Sequence, residues 1–177
     1  MKHRILGVLI AALAMAVGVA CSTQRSTNNA SDYKDNVKQA LEQADLKDVS
    51  VSEDSDKNTI TLTGTLHSND AKREAGEVAR AAGDGRIIAN EISVQPVGAE
   101  SEAKDIASNQ DAAIEKNYKA ALIAQGLDKE HIRYDAKNGV LTLKGSVKST
   151  PQRHQAQELA QAVPEVAQVV NEIEVKR

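Results

Sequence analysis

Asp54, Asp56 and Asn58 alternate in the stretch DSDKNT with the spacing that opens a calcium-binding loop, where oxygens at every second position converge on the cation. The loop is not completed: Thr59 stands where such a loop turns on glycine, and Thr65 where it needs a bidentate glutamate. The glycines of AGDGR could cradle a phosphate, but they follow a helical stretch rather than a strand and no Lys-Ser/Thr comes after them. Helix termination accounts for them better. His3, His67, His131 and His154 are scattered, and no serine or cysteine sits in a nucleophile motif. No catalytic residue, metal site, cofactor or small-molecule substrate is therefore assigned, and an enzyme is not expected.

Cys21, the single cysteine, excludes a disulfide framework. It closes MKHRILGVLIAALAMAVGVAC, a cationic start followed by an uncharged apolar run from Ile5 to Ala20. That run falls short of the ~20 residues a membrane span needs and reads as a secretory signal over residues 1–20. A cysteine directly after small residues resembles the lipobox of bacterial lipoproteins, whose thiol takes a diacylglycerol and becomes the mature N-terminus. Gly18 stands where the lipobox favours leucine, and GVA also fits ordinary secretory cleavage, which would leave the thiol free. With lipidation, Ser22 as the second residue implies retention at the outer membrane. Residues 21–30 are a polar tether with no core to join.

Adding 81 to a position in the first half of the chain gives its counterpart in the second, without a gap from Asn36/Asn117 to Val94/Val175. Eighteen identities fall in those 59 positions, among them Leu41/Leu122, Leu62/Leu143, Gly64/Gly145 and Asn90/Asn171, with swaps such as Val51/Ile132. The chain is a duplication. Two domains, 31–97 and 111–177, joined by a linker over 98–110, follow from it.

Each repeat spells the same elements. In the second, Ile114, Tyr118, Ala121, Leu122 and Gln125 fall at helical spacing, and Gly126 sits where a helix takes its left-handed terminal residue. Ile132 and Tyr134 alternate with His131, Arg133 and Asp135, the chain turns at Asn138-Gly139, and Leu141, Leu143, Gly145 and Val147 alternate again. Thr150 as N-cap and Pro151 at the first helical position open a second helix, with Ala156, Leu159, Ala160 and Val163 inward and Pro164 as its stop. Val169, Asn171, Ile173 and Val175 share one phase of a last strand. The order α-β-β-α-β predicts an α+β fold of two tandem domains. In each, two helices cover one face of a small three-stranded sheet and the other face stays open.

Gly64 and Gly145, in mid-strand, predict a bulge or a close approach by a helix or the other domain. Asn90 and Asn171 fall in the apolar phase and are expected to bond neighbouring backbone, which makes them structural.

An α-β-β-α-β unit with ITLTGTL or LTLKGSV running into a central glycine, and IIANEISV or QVVNEIEV closing it, resembles the BON family, named for bacterial osmotic-shock and nodulation proteins. The resemblance covers both repeats. It implies an exported periplasmic protein that associates with phospholipid membranes and supports envelope integrity or osmotic stress tolerance, without catalysis.

Charge separates the two halves. Residues 31–97 hold 13 acids and 8 bases, a net −5, while residues 111–177 hold 9 acids and 10 bases, a net +1. The second domain is thus the better suited to an anionic phospholipid surface, where each basic residue contributes ~1 kcal/mol. Its candidates are Lys144 and Lys148, alternating with Thr142 and Ser146 on the open face, with Arg133 and His131 on the first strand, and Arg153 and His154 on the second helix. Ser52 is the gapless counterpart of Arg133. The alternative is a lipid-anchored interaction module whose partner is another envelope protein. Nucleic acid is disfavoured by export, by the negative total charge and by scarce stacking groups, since Tyr33, Tyr118 and Tyr134 all fall in core-facing phase.

Overall fold

The computed structural model describes residues 31–176; the signal, Cys21 and the tether lie outside the described residues. The first domain runs α1 (Ser31–Gln43), β1 (Val49–Asp54), β2 (Thr59–Leu66), α2 (Asn69–Ala82), β3 (Ile87–Asn90) and β4 (Ser93–Val94). The second repeats it as α3 (Glu100–Ala124), β5 (His131–Lys137), β6 (Val140–Val147), α4 (Thr150–Gln161), β7 (Gln168–Asn171) and β8 (Glu174–Val175). In both sheets the central strand pairs antiparallel with the first strand and parallel with the last, because a helix carries the chain back over one face. The last strand is a single line broken in the middle, so β4 and β8 continue the pairing that β3 and β7 begin.

Each core lies between the helices and the sheet. Val37, Leu41, Ile60, Leu62, Ala75, Ala79, Ile88 and Ile92 form the first. Ile114, Tyr118, Leu122, Leu141, Leu143, Ala156, Ala160 and Ile173 form the second. Buried alanines on α2 and α4 bring those helices close to the sheet, which suits a chain without Phe or Trp. Tyr118 supplies bulk to the second core, its hydroxyl donating to Ala156 O at 3.1 Å and its ring meeting Tyr134 edge-on at 5.1 Å.

Four expectations change. The cap of α4 is Ser149, one residue before Thr150, its hydroxyl accepting from Gln152 N at 3.4 Å; Ser68 caps α2 in the same way. Most of the segment read as a linker over 98–110 is helical and belongs to α3, which begins at Glu100. The repeats also do not superpose without a gap. Gly64 pairs with Val49 but Gly145 with Ile132, so the first strands are offset by 83 residues rather than 81. A longer turn between β1 and β2 and a longer connection from α3 to β5 exchange the two residues, making Ser50, not Ser52, the structural counterpart of Arg133. Lastly, the close approach at the mid-strand glycines comes from the neighbouring strand, not from a helix or the other domain. A side chain on Gly64 (φ 132°) would overlap the carbonyl oxygen of Asp48, and one on Gly145 (φ 106°) that of His131.

The two asparagines do bond backbone. Asn90 Nδ2 donates to Lys72 O at 2.7 Å, and Asn171 Nδ2 to Arg153 O at 3.4 Å. Each ties the break in the last strand to the helix above it.

The sheets meet along β3 and β7. Ala89, Val140 and Val170 form a small shared cluster, Gln168 Nε2 donates to Ile88 O, and Asn90 N donates to Gln168 Oε1. Around it, Asn138 Nδ2 donates to Glu91 O at 2.8 Å, Lys72 Nζ donates to Asn138 O at 2.9 Å, Lys137 pairs with Glu91 at 3.0 Å and Lys57 with Glu174. Asp111, on α3 just after the former linker, accepts from Asn138 N and Gly139 N and so holds the hairpin tip that docks on the first domain. This contact covers part of the faces expected to stay open: Thr59, Val140 and Thr142 are buried.

Candidate functional site

What remains open of the second sheet is its far half, and there Arg133 stands directly across the strand pair from Lys144. The pleat points both side chains away from the helices, and both residues are exposed. Like charges in directly opposed positions repel. Glu172, its side chain almost buried, sits 3.8 Å from Lys144 Nζ and offsets part of that repulsion. The Arg133 guanidinium forms no ion pair or hydrogen bond among the described residues.

Lys148 follows the end of β6, and Glu130 lies 3.3 Å from its Nζ. On the other flank Glu174 is bracketed by Lys57 and, at 3.6 Å, by Lys176. Glu174 is held below its ordinary pKa, first by the hydrogen bond from Lys57, then by the charges of Lys57 and Lys176. Between these groups and the tip of the first hairpin runs a groove of about 590 Å³, lined by Asp54 and Lys57 from one domain and by His131, Arg133, Lys144 and Glu172 from the other.

Of the basic residues singled out in the sequence, Arg133, Lys144 and Lys148 share this end of the sheet. Arg153 and His154 do not belong to that face. Arg153 turns from α4 onto β7, where its Nη2 donates to Asn171 O at 3.2 Å, and His154 is exposed on the helix. The partners Glu130, Glu172, Glu174, Lys57 and Lys176 were missed. Glu172 and Glu174 carried a readable signal, since they alternate with Asn171, Ile173 and Val175 and must therefore point to the outer face. Lys57 carried none, because it arrives from the other domain.

The face can hold oxyanions through a free guanidinium beside an ammonium, a pairing suited to phosphate. Among the described residues no three His, Cys, Asp or Glu side chains are grouped to hold a metal ion, and no helix is long and apolar enough to cross a membrane.

A family model described as the BON domain matches residues 29–96 and again 110–177. The chain is 30% identical over 142 residues to the Osmotically-inducible protein Y of Escherichia coli (strain K12), an alignment spanning 79% of this chain and 69% of that protein. Among solved structures, the C-terminal domain of CdsD, described as the structural protein of the Type III secretion system of Chlamydia trachomatis, aligns at 12% identity with a TM-score of 0.33. That match covers 82% of this chain and 98% of the other, and a likeness so distant supports no conclusion about this chain.

Proposed function

The chain belongs to the BON domain family, one domain to each repeat, and on that premise we propose that it is a non-enzymatic, osmotic-stress-related envelope protein that associates with phospholipid membranes through its second domain. The observation that carries the lipid contact is the cationic pair Arg133 and Lys144, only partly relieved by Glu172, on an exposed sheet face. A cross-strand pair of like charges destabilises the hairpin unless an anion lies against it, and phosphate headgroups supply anions in a plane. Lys148 extends the same edge. Reversing both lysines, Lys144→Glu with Lys148→Glu, is expected to weaken binding to anionic vesicles at least about tenfold. Unchanged binding would remove this face as the contact.

Anchoring at the periplasmic side of the outer membrane through a lipid on Cys21 belongs to the same proposal. Metabolic labelling with palmitate tests it: label should enter the wild-type chain and not Cys21→Ser. Label absent from both would leave an exported protein with a free thiol.

A second proposal, a lipid-anchored interaction module without lipid binding in its domains, has one observation in its favour. Glu172 and Glu130 already partner Lys144 and Lys148, so the face is close to neutral. A mixed-charge groove of that kind suits a protein partner better than a bilayer.

A further inference from the structure

β5 is the outer strand of the second sheet, paired with β6 on one side only. Ala136 N turns away from β6 and donates to Glu115 Oε1 at 3.1 Å. In an antiparallel ladder the outward groups recur at every second residue, so the N–H and C=O groups of Ile132 and Tyr134 turn to the same side as that amide. Beyond Ala136, no outward amide of β5 meets a side chain among the described residues. Free groups in such a row are a template for a further strand.

Along that edge a cavity of about 300 Å³ opens between the last turns of α3 and β5. Its walls are Leu122, Ile123, Leu127, Ile132 and Tyr134, with the opposite charges of Lys119 and Asp128 beside them. Ile123 is 54% exposed there, a large apolar group with nothing over it among the described residues. The first repeat is built differently at the same place. Lys38 and Glu42 stand where Lys119 and Ile123 do and lie 4.0 Å apart, while Ser50 is the structural counterpart of Arg133. The apolar mouth and the edge cation thus belong to the second domain alone.

Ile132 and Tyr134 pack toward the core, and Arg133 between them points to the opposite face with its guanidinium unpaired. A strand laid along this edge has to alternate in step: apolar side chains on the cavity side, a carboxylate across from Arg133 on the other. We propose that the β5 edge binds an extended segment of a partner protein, added to the sheet as a further strand, in which apolar residues entering the α3 cavity alternate with acidic ones. A second copy of β5 fits poorly. Antiparallel pairing centred on Arg133 sets that residue against itself, and pairing centred on Tyr134 needs the Ala136 amide that Glu115 holds. The site is the strand edge rather than the sheet face read as a lipid contact, although both use Arg133.

The probe is an end-capped peptide in which valine alternates with glutamate. Titrated into the full chain labelled with 15N, it should bind saturably and shift the Ile132 and Tyr134 amides. Lysine in place of its glutamates should weaken binding about tenfold. Two variants carry the residues of the first repeat at exposed positions and so leave the fold in place: Ile123→Glu should cost about tenfold in affinity, and Arg133→Ser about fivefold. Methylating the valine nitrogens of the peptide should abolish binding if the added strand runs antiparallel, and methylating the glutamate nitrogens if it runs parallel, because only one set faces β5. No vesicle enters these titrations, so their outcome is independent of the lipid contact. A peptide that does not bind, that binds as well with either set of nitrogens methylated, or that is indifferent to Ile123 and Arg133 would overturn the proposal.

Discussion

Arg86 Nη1 lies 2.9 Å from Glu53 Oε1, with the guanidinium 4.3 Å from the centre of the Tyr33 ring and both charged side chains nearly closed off from water, at 12% and 6% exposure. Arg86 Nε finds no acceptor there. The same corner of the second domain holds only Ala136, Ala167 and Ile114, counting the strand at its own offset of 83. One repeat thus closes its core with an ion pair under an aromatic ring, the other with apolar groups.

Removing one member of a buried pair leaves the other uncompensated. Arg86→Ala should therefore destabilise the first domain by about 3 kcal/mol, and Glu53→Ala with Arg86→Ala by clearly less. Urea unfolding followed at first-domain amides checks it. A double variant as unstable as the single one would mean that the pair is net stabilising in its own right.

Gly145→Ala and Gly64→Ala should each cost at least about 2 kcal/mol, since φ is positive at both and the new methyl overlaps a carbonyl oxygen of the adjacent strand. Thermal unfolding measures this directly. Gly126→Ala, at φ 69° with open space around it, should cost less.

Burial raises the Tyr118 hydroxyl well above its ordinary pKa of 10.0, with a smaller contribution from Tyr134, which burial also raises. A folded-state pKa above the unfolded one gives stability that is full below about pH 10 and is lost as pH rises further. The second domain should therefore unfold first in alkali. Tyr118→Phe should lose about 1 kcal/mol at neutral pH, the hydrogen bond to Ala156, yet flatten the alkaline decline. Near-ultraviolet absorbance and circular dichroism between pH 8 and 12 would show both.

Between the domains, Lys57 holds Glu174 below its ordinary pKa. A depressed carboxylate stabilises the folded contact above the usual range and ceases to do so as pH falls through its folded value. Carboxyl NMR of Glu174 should give a midpoint that rises toward 4.5 in Lys57→Gln and also with added salt. An unmoved midpoint would show that Lys57 does not reach Glu174 in solution.

The duplication was legible from identities at a constant offset, and the element order and both cores from periodicity, because Val37 and Leu41 or Leu141 and Leu143 have one environment available to them. The backbone bonds of Asn90 and Asn171 were legible from their place in the apolar phase of the last strand. The two-residue slip between the hairpins was hidden, since a longer turn in one repeat and a longer connection in the other keep the total equal. Half of the candidate site was hidden as well. The outward phase of β6 identified Lys144, but which acids neutralise it and which part of the face is covered depend on packing between the domains. Arg153 misled because its spacing on α4 says nothing of the carbonyl on β7 that captures it.

Flotation of residues 31–177, which contain both cores and lack Cys21, tests the central claim most directly. With anionic vesicles at low salt the fragment should float, with neutral ones it should not, and physiological salt or Arg133→Glu with Lys144→Glu should abolish flotation. A fragment that stays at the bottom of the gradient under every condition would contradict intrinsic lipid binding and leave an N-terminal lipid as the membrane contact.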